Sequence, residues 1–124
     1  MDLTMRKAPA IHSVPPGRIA LSEWNIVVIE IDGEIQEKFL GLDVNTNEFR
    51  ISSQIKEYNP EENTGLTQSG SVYQFLDEPG ALHPKAQEVY DYLSNTPEEL
   101  KQRVEVSLKF PVEPDNGPEG TDEQ

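Results

Sequence analysis

Histidine is the side chain that most often acts as a general acid or base near neutral pH, and this chain holds two, His12 and His83. His12 lies in a proline-rich stretch near the N-terminus, where no pattern in the sequence holds it in place. His83 precedes Pro84 at the start of a predicted helix, where the positive end of the helix dipole disfavours an imidazolium. Neither histidine is therefore predicted to be catalytic, and neither has a neighbour at a recognisable metal-ligand spacing.

Other reactive groups are absent or better explained by local structure. The chain has no cysteine, which excludes disulfides, thiolate metal sites and a cysteine nucleophile. Ser69-Gly70-Ser71 lacks the strand-turn-helix context of an activated serine, and the adjacent acids Glu61-Glu62, Asp77-Glu78 and Glu98-Glu99 are typical of solvated loop tips or a helix N-terminus. Since no phosphate-binding loop or calcium loop is present either, the sequence predicts a non-enzyme without cofactor or metal.

A hairpin is the clearest structural element. The apolar run Trp24 to Ile31 meets Glu34 to Val44 through Asp32-Gly33, a pair typical of a two-residue type I′ turn. This turn predicts that Ile31 pairs with Glu34 and Ile26 with Phe39. Both faces of the hairpin are then partly apolar, so we expect a central hairpin that is covered on each side for at least part of its length.

The remaining pattern predicts an α+β fold. Alternating residues from Phe49 to Lys56 favour a third strand, and Ser69-Gly70 favours a second hairpin. Apolar residues at helical spacing predict a helix from about Pro84 to Ser94, and a capping box at Thr96 predicts a second, short helix. The stretch Val104 to Phe110 is a strand or a continued helix. We expect an antiparallel sheet of about five or six strands with one or two C-terminal helices packed on it.

Length and charge define the domain. The 124 residues fit one domain, with 23 acids against 10 bases and a net charge of −13. We expect residues 1–20 to be a loosely ordered arm, residues 21–110 to be the domain with a net charge of −10, and residues 111–124 to be a disordered acidic tail. Such a charge disfavours binding to nucleic acid or anionic membranes. Because no apolar run approaches a membrane span, we expect a cytoplasmic protein.

Three segments resemble a pattern found in small bacterial proteins to which no function is attached: Asn47 to Ser53, Thr67 to Tyr73, and Glu78-Pro79-Gly80. The stretch from Asn47 to Gly80 that contains them is 34 of the 124 residues. The resemblance implies a bacterial or mobile-element origin and a compact β-rich fold, and it implies no site.

These observations favour a non-enzymatic acidic binding module that docks a basic surface of a protein partner, as an inhibitor or immunity protein does. A nucleic-acid mimic is a sharper variant, and acidity that only keeps the chain dispersed is the simpler alternative. The acids expected to bind the partner are Glu30, Glu34, Glu37, Glu57, Glu61, Glu62, Glu88 and Asp91.

Two alternatives belong to other classes of protein. A small enzyme or ligand-binding domain would use a pocket near His83, together with Tyr73 and Glu78, at the transition from sheet to helix. A structural subunit of a homodimer would cover one apolar hairpin face with a second copy. That face comprises Val27, Ile29, Ile31, Leu40 and Leu42.

Overall fold

The computed structural model describes residues 14–112. Within these residues, seven strands, one α-helix and one short 3-10 helix follow one another. In order they are β1 (Arg18–Ile31), β2 (Glu34–Asp43), β3 (Glu48–Ile51), β4 (Ile55–Asn59), β5 (Thr64–Thr67), β6 (Val72–Phe75), α1 (Pro84–Ser94), the 3-10 helix (Glu98–Leu100) and β7 (Val104–Leu108).

The β1–β2 hairpin forms as predicted. Asp32 and Gly33 both have positive φ, 52° and 89°, and the register pairs Ile31 with Glu34 and Ile26 with Phe39. The register shifts once, between Ser22 and Asn25. At this bulge a Cβ on Gly41 would lie 2.5 Å from the Cβ of Trp24, so the strand opposite the bulge requires glycine there.

The sheet is mixed. Its order is β3-β2-β1-β6-β5-β4, and β7 also pairs with β1. Because β1 is 14 residues long, it accommodates two partners on one edge. β6 runs parallel to residues 18–21, and β7 runs antiparallel to residues 27–31. The expectation of a purely antiparallel sheet is therefore wrong at the β1–β6 pairing, while the α+β combination of one sheet with a C-terminal helix is present.

The predicted third strand is divided in two. β3 ends at Ile51 and β4 begins at Ile55, because Ser52 turns the chain. Its backbone N–H donates to the carbonyl of Phe39, and its hydroxyl accepts from the N–H of Phe39. The second hairpin, β5–β6, is confirmed, with Gly70 at a φ of 92° in its turn.

One face of the sheet encloses an aromatic core. Trp24 stacks on Phe75 with ring centroids 3.9 Å apart, and Tyr58 packs edge-on against Trp24. A Cβ on Gly65 of β5 would lie 2.3 Å from the ring of Phe39 on β2. Since β2 and β5 are not neighbours in the sheet, this contact shows that the sheet curls around the core.

The other face of the sheet carries α1. Helix α1 covers Val27 and Leu40, which are buried together with Leu82 and Ala86. The prediction that the first hairpin is covered on both sides for part of its length is confirmed at its β2–β3 end, where the aromatic core and α1 lie on opposite faces. This packing also removes the reason for expecting a second copy there, because the chain's own helix buries the centre of that face.

The C-terminal part differs from the prediction in one detail. The 3-10 helix is capped by Pro97 and has no side-chain cap, so the capping box expected at Thr96 is wrong. Of the two alternatives for the next stretch, the structure shows the strand, β7. At the other end, β1 begins at Arg18, within the expected arm 1–20. His12 and most of the expected tail 111–124 lie outside the described residues.

Candidate functional site

Three strands continue beyond the aromatic core as a ribbon, formed by residues 34–38 of β2, 27–31 of β1 and 104–108 of β7. In this ribbon Glu30 lies opposite Ile35 on one side and Glu105 on the other. Helix α1 packs on one face of the ribbon, against Ile29 and Val106. We call the opposite side the open face. Its side chains are Val28, Glu30, Ile35, Glu37, Glu105 and Ser107.

Two carboxylates face each other at the centre of the open face. Two backbone hydrogen bonds, each 2.8 Å long, show which opposite residues of β1 and β7 are hydrogen-bonded to each other. The Asp32 N–H donates to the Arg103 carbonyl, and the Lys109 N–H donates to the Ile26 carbonyl. In an antiparallel ladder every second pair is then of this kind. Glu30 and Glu105 therefore form a hydrogen-bonded pair, with Cα atoms about 5.5 Å apart. Like charges directly opposite one another destabilise a sheet.

Among the described residues, cations pair with the acids at the two ends of the open face but not with those at its centre. Arg103 donates two hydrogen bonds of 2.8 Å to the carboxylate of Asp32, and these bonds lower the pKa of Asp32 and raise that of Arg103. Lys109 lies 3.2 Å from both oxygens of Glu37. Among residues 14–112, no ion pair joins a cation to Glu30 or Glu105.

An apolar side chain completes this arrangement. Ile35, next to Glu30 on the open face, is 57% exposed. An arginine or lysine binds best where an apolar surface covers its aliphatic stem and a carboxylate meets its charged head. Ile35 and Glu30 provide these two contacts side by side.

The structure separates the eight acids predicted from the sequence. Glu30 and Glu37 share the open face, whereas Glu34 pairs with Ile31 and so faces the α1 side of the hairpin end. The other five lie on two further elements. They are Glu57, Glu61 and Glu62 on β4 and its hairpin loop, and Glu88 and Asp91 on α1.

Sequence reasoning missed Glu105. Its alternation with Val104 and Val106 places it on the polar side of a strand, but the sequence does not reveal that this strand pairs with β1. The acid opposite Glu30 is therefore visible only once the β1–β7 register is known.

The residues of the alternative pocket lie on different faces of the sheet. The Nδ1 of His83 accepts from the N–H of Lys85 at 3.0 Å and caps α1. Tyr73 is buried in the aromatic core on the other side of the sheet. Glu78 lies near Tyr58, whose pKa is raised first by burial and then by the charge of Glu78. The structure does not bring His83 and Tyr73 together in one cleft.

Neither a scan against protein-family models nor searches of curated proteins and solved structures return a match for this chain. Within residues 14–112, no three histidine or acidic side chains are grouped so that they could hold a metal ion. The longest described helix, α1, has 11 residues, and no described helix is long and apolar enough to cross a membrane.

Proposed function

We propose that this protein is a non-enzymatic acidic binding module that docks a basic surface of a protein partner on its open face, as an inhibitor or immunity protein does. The observation that carries the proposal is the pair Glu30 and Glu105, held side by side next to the exposed Ile35, with no ion-pair partner in the described part of the chain.

The physical reason is that a bound cation reverses the sign of the interaction. Without a partner, Glu30 and Glu105 repel each other across the β1–β7 ladder. A lysine or arginine placed above them is attracted by both carboxylates, and its aliphatic stem covers Ile35. The net charge of −13 also steers a basic partner toward the chain and speeds the encounter at low salt.

A general protein-docking role is favoured over mimicry of nucleic acid. A mimic needs carboxylates spaced like phosphates, at about one charge per 1.7 Å of duplex axis. On the ribbon, Arg103 and Lys109 interrupt the row of acids by pairing with Asp32 and Glu37. The proposal includes a cytoplasmic location, which fractionation of the source cells tests.

The test compares two variants that remove the same number of charges from different strands. Glu30→Gln combined with Glu105→Gln neutralises the centre of the open face. Glu57→Gln combined with Glu61→Gln neutralises β4 and its loop, away from the ribbon. Each immobilised protein is exposed to lysate of the source organism at low and at raised salt.

We expect wild type and the second variant to retain the same basic protein at low salt, and the first variant to lose it. Equal loss from both variants would show that diffuse charge, rather than the open face, attracts the partner. Absence of any salt-sensitive basic protein would contradict the proposed function.

A further inference from the structure

Within residues 14–112, the outer edge of β2 has no strand partner at the ribbon. The two-residue turn makes Ile31 and Glu34 a hydrogen-bonded pair, so Glu34, Gln36 and Lys38 direct their backbone groups toward β1. Ile35 and Glu37 direct theirs outward. Among the described residues, β3 pairs with β2 only from Leu40 onward. The edge at Ile35 and Glu37 therefore offers N–H and C=O groups to an added strand.

A groove runs along this edge. Its volume is about 360 Å³, and its walls are Ile35, Gln36 and Lys38 on one side and Ser53, Gln54 and Gln68 on the other. The side-chain oxygen Oε1 of Gln54 is buried and has no hydrogen-bond partner among residues 14–112. A buried acceptor is normally satisfied, so Gln54 is the one groove residue whose side chain lacks its usual partner among residues 14–112.

We propose that the partner contributes an extended, arginine- or lysine-bearing segment, which adds to the outer edge of β2 as an antiparallel strand at Ile35 and Glu37. This inference rests on the proposed function and specifies how the partner is held. Main-chain hydrogen bonds bind the segment, as in other cases of strand addition, and side chains at alternate positions select it.

The preference for a basic residue follows from the geometry of the open face. In antiparallel pairing, the residue opposite Ile35 points to the open face, with Ile35 beside it and Glu30 one strand further. A basic side chain of this protein already reaches across two strand spacings. Lys109, which directly follows β7, extends over β1 to Glu37 on β2. An arginine on the added strand would likewise cross Ile35 and reach Glu30, which lies two strands away, as Glu37 does from Lys109.

A second copy of this chain fits the edge less well. Its β2 would present Ile35 and Glu37 to the open face, which leaves Glu30 and Glu105 without a cation. Two chains that each carry a net charge of −13 also repel one another. A partner of opposite charge is therefore the occupant that the ribbon favours.

The test uses synthetic eight-residue peptides that alternate arginine and valine, added to the ¹⁵N-labelled full chain and followed by NMR. At about 90% occupancy, hydrogen exchange of the Ile35 and Glu37 amides should slow about tenfold, because only the tenth of the molecules without peptide exchanges.

Modified peptides serve as controls. A peptide with N-methyl groups on its arginines should not bind, because the backbone N–H groups of the arginines are the ones that face β2. A peptide methylated on its valines should bind like the parent, and one that alternates glutamate and valine should not bind.

Two protein variants localise the effect. Ile35→Pro removes the outward N–H at an edge position, where proline is tolerated, and should weaken peptide binding by about tenfold or more. Ile35→Val keeps that N–H and a branched aliphatic side chain, so it should lose far less peptide binding than Ile35→Pro. Thermal unfolding of both variants verifies that they fold.

The outcomes separate strand addition from acidic docking. Equal binding of both methylated peptides, still dependent on Glu30 and Glu105, would overturn strand addition and leave the proposed function standing. Absence of binding, or protection at Val104 to Leu108 instead, would also overturn it. A dimer in sedimentation that Ile35→Pro dissociates would identify a second copy as the occupant and contradict the proposal.

Discussion

Replacing Glu105 by lysine should make the isolated protein more stable while abolishing partner binding. If the two carboxylates are as far apart as their Cα atoms, about 5.5 Å, they repel each other by about 0.8 kcal/mol in water, and physiological salt reduces this to about 0.4 kcal/mol. Glu105→Lys removes that repulsion from Glu30 and replaces it with an attraction of similar size. The free energy of unfolding should therefore rise by about 0.8 kcal/mol, and Glu105→Gln should gain about half as much.

Urea unfolding at low and at high salt measures this gain. With a slope of about 2 kcal/mol/M, Glu105→Lys should shift the midpoint by about 0.4 M, and the shift should shrink as salt rises. Glu57→Lys is the matched control, because it makes the same change of charge on β4, where the residue opposite is Leu66. The control should gain less.

The reasoning would be refuted if Glu105→Lys were no more stable than wild type, or if Glu57→Lys gained as much. The first result would show that Glu30 and Glu105 do not repel each other in the folded chain. The second would assign the gain to net charge alone. The combination of greater stability and lost binding would mark Glu105 as a residue whose charge serves a partner rather than the fold.

Three further predictions concern the scaffold of the ribbon. Gly65→Ala should lower stability by about 1–3 kcal/mol in urea unfolding, because its Cβ would collide with the ring of Phe39. Asn25→Ala should cost about 2–3 kcal/mol in the same assay, since the buried amide of Asn25 donates to two carbonyls and accepts from two N–H groups. Arg103 lowers the pKa of Asp32 below its ordinary 3.8, so this pair stabilises the fold above that pH and ceases to do so as pH falls through the lowered value. Asp32→Asn should therefore lower the unfolding midpoint at neutral pH and converge with wild type in acid.

Local signals predicted the elements of the ribbon. The Asp32-Gly33 turn determines the β1–β2 register, because only a two-residue type I′ loop satisfies both positive φ angles. The apolar spacing from Ala86 to Leu93 and the proline at its start likewise predicted α1 with the bounds that the structure shows.

Pairings between distant segments were not predictable. The alternation in β7 identifies a strand, but nothing local specifies that it pairs with β1 rather than with another edge. The parallel pairing of β6 depends on how the β5–β6 hairpin docks against the aromatic core, which the sequence does not encode in any short pattern. The candidate site was therefore half predicted, with Glu30 found and Glu105 missed.

The central claim is that a basic partner binds the open face, and zero-length cross-linking with a carbodiimide tests it most directly. This reagent joins a carboxylate only to an amine in contact with it, and mass spectrometry of the complex captured from lysate identifies the joined residues. We expect partner lysines to be joined to Glu30 and Glu105. Cross-links confined to Glu61 and Glu62, or to Glu88 and Asp91, would contradict the account.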